Sequence, residues 1–248
     1  MKLLVILSRV PYPLDKGDKL RAFNQIKQLS KKHQIILLAL NDKKLDEKAL
    51  DELKKYCIAI SIIKFSKITI FFNLVRAFFN GKPLQVGYFY FDKAQKKVNM
   101  LIAKHKPDHI YCQLIRTAEY AKPFPNIPKT LDYMDVFSKG MERRKSTEPF
   151  YLKPFFAIEH KRLLKYEHDV FQYFNNKTII SEQDKNLIQH SQKQEINVVP
   201  NGVDTNYFKA IPFEKEFELL FNGNMNYPPN VESAEYLVNK ILPLVWKK

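Results

Sequence analysis

The stretch SRVPYPLDKGDKLRAFN, residues 8 to 24, crowds Lys16, Gly17, Asp18, Lys19 and Arg21 into one short segment. Such a set suits an anion. Gly17 has no Cβ and lets a ligand approach the backbone, and Asp18 reads as an N-cap. The helix that follows offers free N–H groups and the positive end of its dipole. Lys16, Lys19 and Arg21 reinforce that field. The same residues also fit an ordinary glycine-containing turn between strand and helix that binds nothing. The spacing is not GxGxxG, which disfavours nicotinamide and flavin dinucleotides. The chain holds only six glycines. Three of them, Gly17, Gly202 and Gly223, follow predicted strands on the side where an α/β sheet binds ligands. Its six histidines are scattered. His160 and His168 are too far apart along one predicted helix to share an ion, so no metal is expected.

The elements that must position these residues are legible from hydrophobic periodicity. KLLVIL (2–7) is a continuous apolar run, as in a strand buried on both faces of a parallel sheet. HQIILLAL and YCIAISII repeat the pattern, with an amphipathic helix through Ala22, Ile26 and Leu29 between the first two runs and another over 44–56. This β-α-β-α-β order begins a doubly wound sheet. Further strands are expected at 108–113, 128–132, 177–181 and 195–199, with a long helix over 154–174 whose inward stripe is Leu163, Tyr166, Val170 and Phe174. Residues 139–153 show no usable periodicity and read as a mobile loop. ELLFNGNMNYPPN, from 218, reads as the strand and turn opening a second domain. The fold class is therefore α/β: a Rossmann-like doubly wound parallel sheet followed by a truncated second Rossmann-like domain.

Composition narrows the function classes. Apolar residues make up 45% of the 248, enough for a real core, and Lys plus Arg outnumber acids 41 to 26, a formal charge of +15. That charge fits solvated lysines, anionic lipid or a phosphorylated substrate. Nucleic acid is the weakest partner class, because no RNP-like aromatic motif, GxxG loop or zinc-ligand spacing occurs. Cys57 and Cys112 sit in apolar runs and read as free thiols, which points to a reducing cytoplasm. KLLVIL is too short for a signal peptide, and no apolar run reaches the roughly 20 residues that span a bilayer. SKITIFFNLVRAFFNGKP, residues 66–83, puts Ile68, Phe71, Phe72, Val75 and Phe79 on one helical face among Lys64, Lys67, Arg76 and Lys82. It could lie in a membrane interface. Packing on the sheet is the preferred reading, since the other covering helices are also apolar on one side.

Three segments in series, PYPLDKGDKLRAFNQIKQLSKKH, VVPNGVD (198–204) and FNGNMNYPPNVESAEYLVNKILPLV (221–245), resemble glycosyltransferase family 4, whose members are two-domain GT-B enzymes. The similarity is greatest to bacterial exopolysaccharide sugar transferases. It implies that Gly17 lies at the interdomain cleft near donor phosphates and acceptor. TLDYMDVFSKG resembles the acceptor-side loop, with Asp135, the candidate catalytic residue, and Ser138 in its Asp-x-x-Ser positions. Arg116, Thr117 and Tyr120 would lie after the fourth strand on the same side, as substrate-binding residues. Glu159 and Glu167 match a recurring pair of the long helix, for which helix-dipole effects or a nearby lysine offer a purely structural reading. Asn201 and Gly202 would begin the crossing to the donor side. Gly223 and Asn224 would meet the donor's diphosphate.

The resemblance implies an N-terminal acceptor-side domain over 1–205, then a linker and the first β-α unit of a donor-binding domain over 206–248. The implied reaction moves a sugar from a nucleotide-diphosphate sugar to an acceptor hydroxyl in polysaccharide or glycoconjugate assembly, with retention and without a metal or other cofactor. The family's diphosphate-neutralising basic residue and its Glu-x7-Glu segment have no counterpart before Lys248. The chain alone is thus expected to be inactive, with a missing half supplied in trans as one way to complete it. The alternative is a non-catalytic basic module holding an anionic glycan or lipid-linked phosphate. Either would sit in the cytoplasm or at the inner face of a membrane.

Overall fold

The computed structural model describes residues 1–209, 216–225 and 228–247. Contacts divide the chain into two units, Met1–Gly202 and Val203–Lys248. In the first, seven parallel strands run in the order β3-β2-β1-β4-β5-β6-β7. They are β1 Lys2–Leu7, β2 Gln34–Asn41, β3 Cys57–Lys64, β4 His109–Gln113, β5 Lys129–Asp132, β6 Asn176–Ile179 and β7 Ile196–Val198. The order reverses between β1 and β4, as the doubly wound reading requires.

Both faces of the central strands are covered, which is why these strands read as unbroken apolar runs. Leu3, Val5, Leu7, Ile35 and Leu37 meet Ala22, Phe23 and Ile26 of α1 (Gly17–Leu29) and Leu53 of α2 (Ala49–Lys54). On the other face, Leu4, Ile6, Ile36 and Leu38 share a core with α4 (Leu84–Phe89), α5 (Asp92–His105) and α7 (Lys153–Val170). Of the expected stripe, Leu163, Tyr166 and Val170 are buried on α7, which ends at Val170 and not at 174; Phe174, also buried, follows a 3-10 turn over Phe171–Tyr173. A short α8 (Glu182–Leu187) links β6 to β7. Cys57 and Cys112 are free and buried, and burial raises both thiols to about 12, so neither is reactive near neutral pH.

Three expectations are corrected. Residues 139–153 are not a loop: α6 spans Phe137–Thr147. Its own sequence is polar and carries no capping side chain, but it packs on α7, whose Glu167 carboxylate accepts from the Ser138 backbone N–H at 3.1 Å. The cap lies 29 residues downstream, beyond any local pattern. Second, the helix over 66–83 forms as α3 (Lys67–Phe79), capped by Ser66, but it turns the other way. Ile70, Asn73, Leu74 and Ala77 face inward, while Ile68, Phe71, Phe72, Val75 and Phe79 are exposed. Third, no strand forms within 216–225. A lone strand has no partner for its backbone groups.

The second unit contains α9 (Pro228–Tyr236), a π-helical turn (Leu237–Ile241) and α10 (Leu242–Val245). None of its described residues with an assigned exposure is buried. Residues 210–215 of the expected linker and 226–227 of the expected turn lie outside the described residues.

Gly87 sets how closely α3 and α4 approach. A Cβ there would fall 2.3 Å from the Ala77 Cβ and 3.3 Å from the Asn73 carbonyl oxygen. Gly87→Ala is expected to cost about 1–3 kcal/mol by overpacking, read from urea unfolding, and a companion Ala77→Gly should return most of it. Equal stability of the wild type and the single variant would contradict this packing.

Candidate functional site

Parallel strands deliver their last residues to one edge of the sheet, and a ligand crevice opens there where the strand order reverses. Here that edge carries Ser8 and Arg9 after β1, Gln113 at the end of β4 and Asp132 at the end of β5. Two backbones are held at positive φ at this edge: Leu114 (φ 64°) and Met134 (φ 56°), each just past a strand and each buried. Side chains rarely adopt this region, and such strain persists where surrounding bonds over-determine it. The Leu114 N–H donates to the Asp132 carbonyl at 2.7 Å, and the Asp135 N–H donates to the Tyr133 carbonyl at 2.7 Å.

The centre of the edge is a buried ion pair. Arg21 Nε donates to Asp132 Oδ2 at 2.8 Å and its second fork to Oδ1 at 3.3 Å. Gln25 Nε2 donates to Oδ2 at 3.2 Å, and the Tyr111 hydroxyl lies 2.8 Å from both Oδ2 and Gln25 Oε1. Burial, and then the Asp132 charge, raise the Tyr111 phenol well above its usual range and keep it a donor. The remaining Arg21 nitrogen donates to Asn201 Oδ1 at 2.9 Å. Arg21 is therefore occupied within the protein, and the expectation that it lends its charge to a ligand is corrected.

Two other cations of the first loop are also engaged. Asp18 lies within α1 instead of capping it, and Arg9 binds its carboxylate at 2.6 Å. Lys19 pairs with Asp15 at 2.8 Å. Lys16 and Lys19 line a groove of about 640 Å³ together with Arg9, Asn41, Lys43 and Lys48, between the loops after β1 and β2. Gly17 stands open: a Cβ there would meet nothing within 4 Å. Its backbone does not demand glycine, so the space above it is available to a ligand.

Arg116 follows β4 in a 3-10 turn over Ile115–Tyr120. Its guanidinium lies between the Phe89 and Phe137 rings, 5.0 and 4.6 Å from their centroids, and forks onto Gln85 Oε1 at 2.7 and 3.1 Å. Burial, then the like charge of Arg9, lower its ionisation to about 10, so it stays charged near neutral pH. Among the described residues no carboxylate comes within ion-pair distance of it; Asp18 and Asp135 act on it only from farther away. Asp135 reaches solvent past the Met134 turn. Protein crowding around its carboxyl, reinforced by Asp184, nevertheless raises it above the ordinary aspartate range, against the pull of Arg116.

Three expected ligand-binding hydroxyls are turned inward. Thr117 Oγ1 donates to the Gln113 carbonyl at 3.0 Å, and Tyr120 donates to the Phe89 carbonyl at 2.6 Å while accepting from the Phe91 N–H. Ser138 Oγ donates to Glu167 at 2.5 Å. All three residues are fully buried and serve packing. The α7 acids are long-range helix caps: Glu159 accepts from the Leu84 and Gln85 N–H groups that open α4, as Glu167 does for α6. Gly202 ends the first unit, while Gly223 and Asn224 belong to the second, where Asn230 Nδ2 donates to the Asn224 carbonyl at 3.1 Å. The sequence reading missed Arg9 and Asp132, whose signal was a charged residue at or just past the end of an apolar strand. Among the described residues no group of three His, Cys, Asp or Glu side chains could hold a metal.

No protein-family model matches the chain. It is 26% identical, over 262 aligned positions, to an uncharacterized 44.6 kDa protein in the cps region of Klebsiella pneumoniae, covering all of this chain and 62% of that one. Among solved structures it is similar to sucrose-phosphate synthase from Thermosynechococcus elongatus, with a TM-score of 0.53 at 12% identity over 85% of this chain and 51% of that one. It is also similar to Phytolacca americana UGT2, solved in complex with UDP-2-fluoro-glucose and pterostilbene, with a TM-score of 0.50 at 8% identity over 83% and 55%. The shared architecture is a Rossmann-like α/β fold. The chain spans between half and two thirds of the length of these proteins.

Glu167 gives the site region a pH signature. Burial, against the Ser138 bonds, raises its carboxyl from 4.5 to about 7. A folded-state value above the unfolded one stabilises fully below pH 4.5, and that contribution is lost as pH rises through about 7. Glu167→Gln keeps an oxygen for the Ser138 N–H and does not ionise. Between those limits the wild type is expected to lose on the order of 3 kcal/mol relative to the variant. Parallel stability–pH curves from denaturant melts would contradict the assignment.

Proposed function

We propose that the chain is the acceptor-side part of a sugar transferase that uses a nucleotide-diphosphate sugar, in the manner of glycosyltransferase family 4. The observation that carries this reading is the arrangement at the sheet's C-terminal edge: open backbone over Gly17, a charged Arg116 held by rings and an amide, and Asp135 on a strained turn. The GT-B likeness and the 26% identity to a cps-region protein support it and suggest polysaccharide or glycoconjugate assembly.

In the proposed reaction the bond from the anomeric carbon to the diphosphate breaks. The acceptor oxygen bonds to that carbon with retention, and its proton leaves on the departing diphosphate. Asp135, ionised, accepts a hydrogen bond from the acceptor hydroxyl and orients it. Arg116 contributes positive charge as the diphosphate departs, and the Gly17 backbone leaves room for donor or acceptor phosphates. No metal or other cofactor enters this scheme. Fixed charges act strongly only in a site shielded from water, which requires a second lobe to close over the donor. The second unit has no buried residue among those with an assigned exposure, so the 248-residue chain is proposed to turn over little donor unless a donor-binding half is supplied.

The test joins this chain to the C-terminal half of a two-domain relative and measures nucleoside diphosphate released from a panel of nucleotide sugars with glycan acceptors. Turnover is expected. Gly17→Ala should lower it at unchanged melting temperature, because a Cβ there meets no protein atom. Asp135→Asn should lower kcat/KM by about 10²-fold, consistent with lost orientation, and wild-type activity should rise with pH through the elevated Asp135 ionisation. A folded fusion that binds no nucleotide sugar would remove the reading.

A further inference from the structure

Helix α3 has two apolar stripes and the protein covers only one. Ile70, Asn73, Leu74 and Ala77 recur at 3, 4 and 7 positions and dock on the fold, with Asn73 Nδ2 donating to the Tyr90 carbonyl at 2.7 Å. The opposite stripe, Ile68, Phe71, Phe72, Val75 and Phe79, leaves Phe71 63%, Phe72 65% and Phe79 80% exposed. A helix apolar on both sides belongs inside a large core or against an apolar phase.

The exposed surface does not end with α3. Arg162 of α7 donates to the Phe78 carbonyl at 3.0 Å and lies over the Phe78 ring. Phe155 and Ile158 stand seven and four residues before it, on the same stripe of α7, and both are exposed. Phe150 and Tyr151, just before α7, are 82% and 67% exposed. Aromatic exposure on this scale exceeds scattered surface apolar residues.

Charge identifies the occupant. From 64 to 91 the chain contains Lys64, Lys67, Arg76 and Lys82 and no acid; Arg76 pairs with Asp92 at 3.8 Å and Lys82 with Glu119 at 2.5 Å, while Lys64 and Lys67 have no ion-pair partner among the described residues. Lys153 and Lys161 on α7 are also exposed. Phenylalanines surrounded by long basic side chains match an anionic bilayer interface, in which rings enter the acyl boundary and cations stay at the phosphates. No helix among the described residues is long and apolar enough to cross a membrane. The α3–α4 corner is also tied to the crevice, since α4 supplies Gln85 to Arg116.

We propose that the exposed face of α3, continued by the start of α7, is a docking surface for anionic phospholipid membrane and brings the Arg116 side of the crevice close to the bilayer. Vesicle flotation of the intact chain tests it, using phosphatidylcholine alone or with about one-third phosphatidylglycerol, at about 0.05 and 0.5 M NaCl. The wild type is expected to float with the anionic vesicles at low salt. Phe72→Ser/Phe79→Ser should reduce partitioning by at least about tenfold, and Lys67→Glu/Arg76→Glu should do so at low salt only. Circular dichroism and melting temperature establish that the variants are folded. A Phe72→Trp reporter in a Trp246→Phe background, expected to blue-shift on vesicle addition, reads insertion without relying on loss of binding. Failure of the wild type to float, undiminished flotation of the folded phenylalanine variant, or a soluble dimer abolished by it without vesicle binding would each overturn the proposal. None of these outcomes bears on nucleotide-sugar binding, so the two readings stand or fall separately.

Discussion

The Arg21–Asp132 pair is the constraint on which the ligand edge depends. Both side chains are almost wholly removed from water, which costs several kcal/mol per ion unless geometry and further hydrogen bonds compensate. Here they do: Gln25 and Tyr111 complete the carboxylate, and Asn201 completes the guanidinium. The network joins α1, β4, β5 and the segment after β7, positions separated by up to 180 residues. An apolar cluster could join the same elements with less desolvation, but it would not fix their register by directed bonds.

Several features of the edge follow from that anchor. With Arg21 drawn inward, Gly17 at the start of α1 is left exposed, and Asp18 pairs with Arg9. With Asp132 committed at the end of β5, the chain must turn sharply through Met134, and Asp135 emerges toward solvent beside the crevice. The α7 acids then act at a second level. Glu159 and Glu167 cap α4 and α6, the helices that carry Gln85 and Phe137 to Arg116. The position of the Arg116 charge thus rests on two buried acids that cap the helices around it.

Much of the fold was legible from sequence because a parallel sheet covered on both faces imposes continuous apolar runs, and β1 and β2 display them; β3 reads the same way although it is a half-exposed edge strand. The α7 stripe was legible for a related reason: burial imposes a 3.6-residue period. What local pattern could not give was long-range capping. Nothing in 137–147 announces a helix whose first N–H groups are satisfied by Glu167. Nor could it say which of two apolar stripes on α3 turns inward; Gly87, by admitting Ala77, decides that. Gly17, Arg116 and Asp135 were picked by residue type and position, and they lie in the segments that follow β1, β4 and β5. Thr117, Tyr120 and Ser138 were chosen the same way and proved internal, because a hydroxyl serves a buried carbonyl as readily as a ligand. Asp132 escaped notice as one of the two acids in TLDYMD: the expected strand 128–132 ended on it, but nothing local showed that Arg21 pairs with it.

A double-mutant cycle on Arg21 and Asp132 tests the central claim most directly. Asp132→Leu and Arg21→Met, each alone, should cost about 3–5 kcal/mol in denaturant unfolding, since each leaves one buried charge uncompensated. The double variant should be much more stable than the sum of the two losses implies. Losses that simply add would show that the two residues are not coupled, and the anchor assigned here to the ligand edge would have to be sought elsewhere.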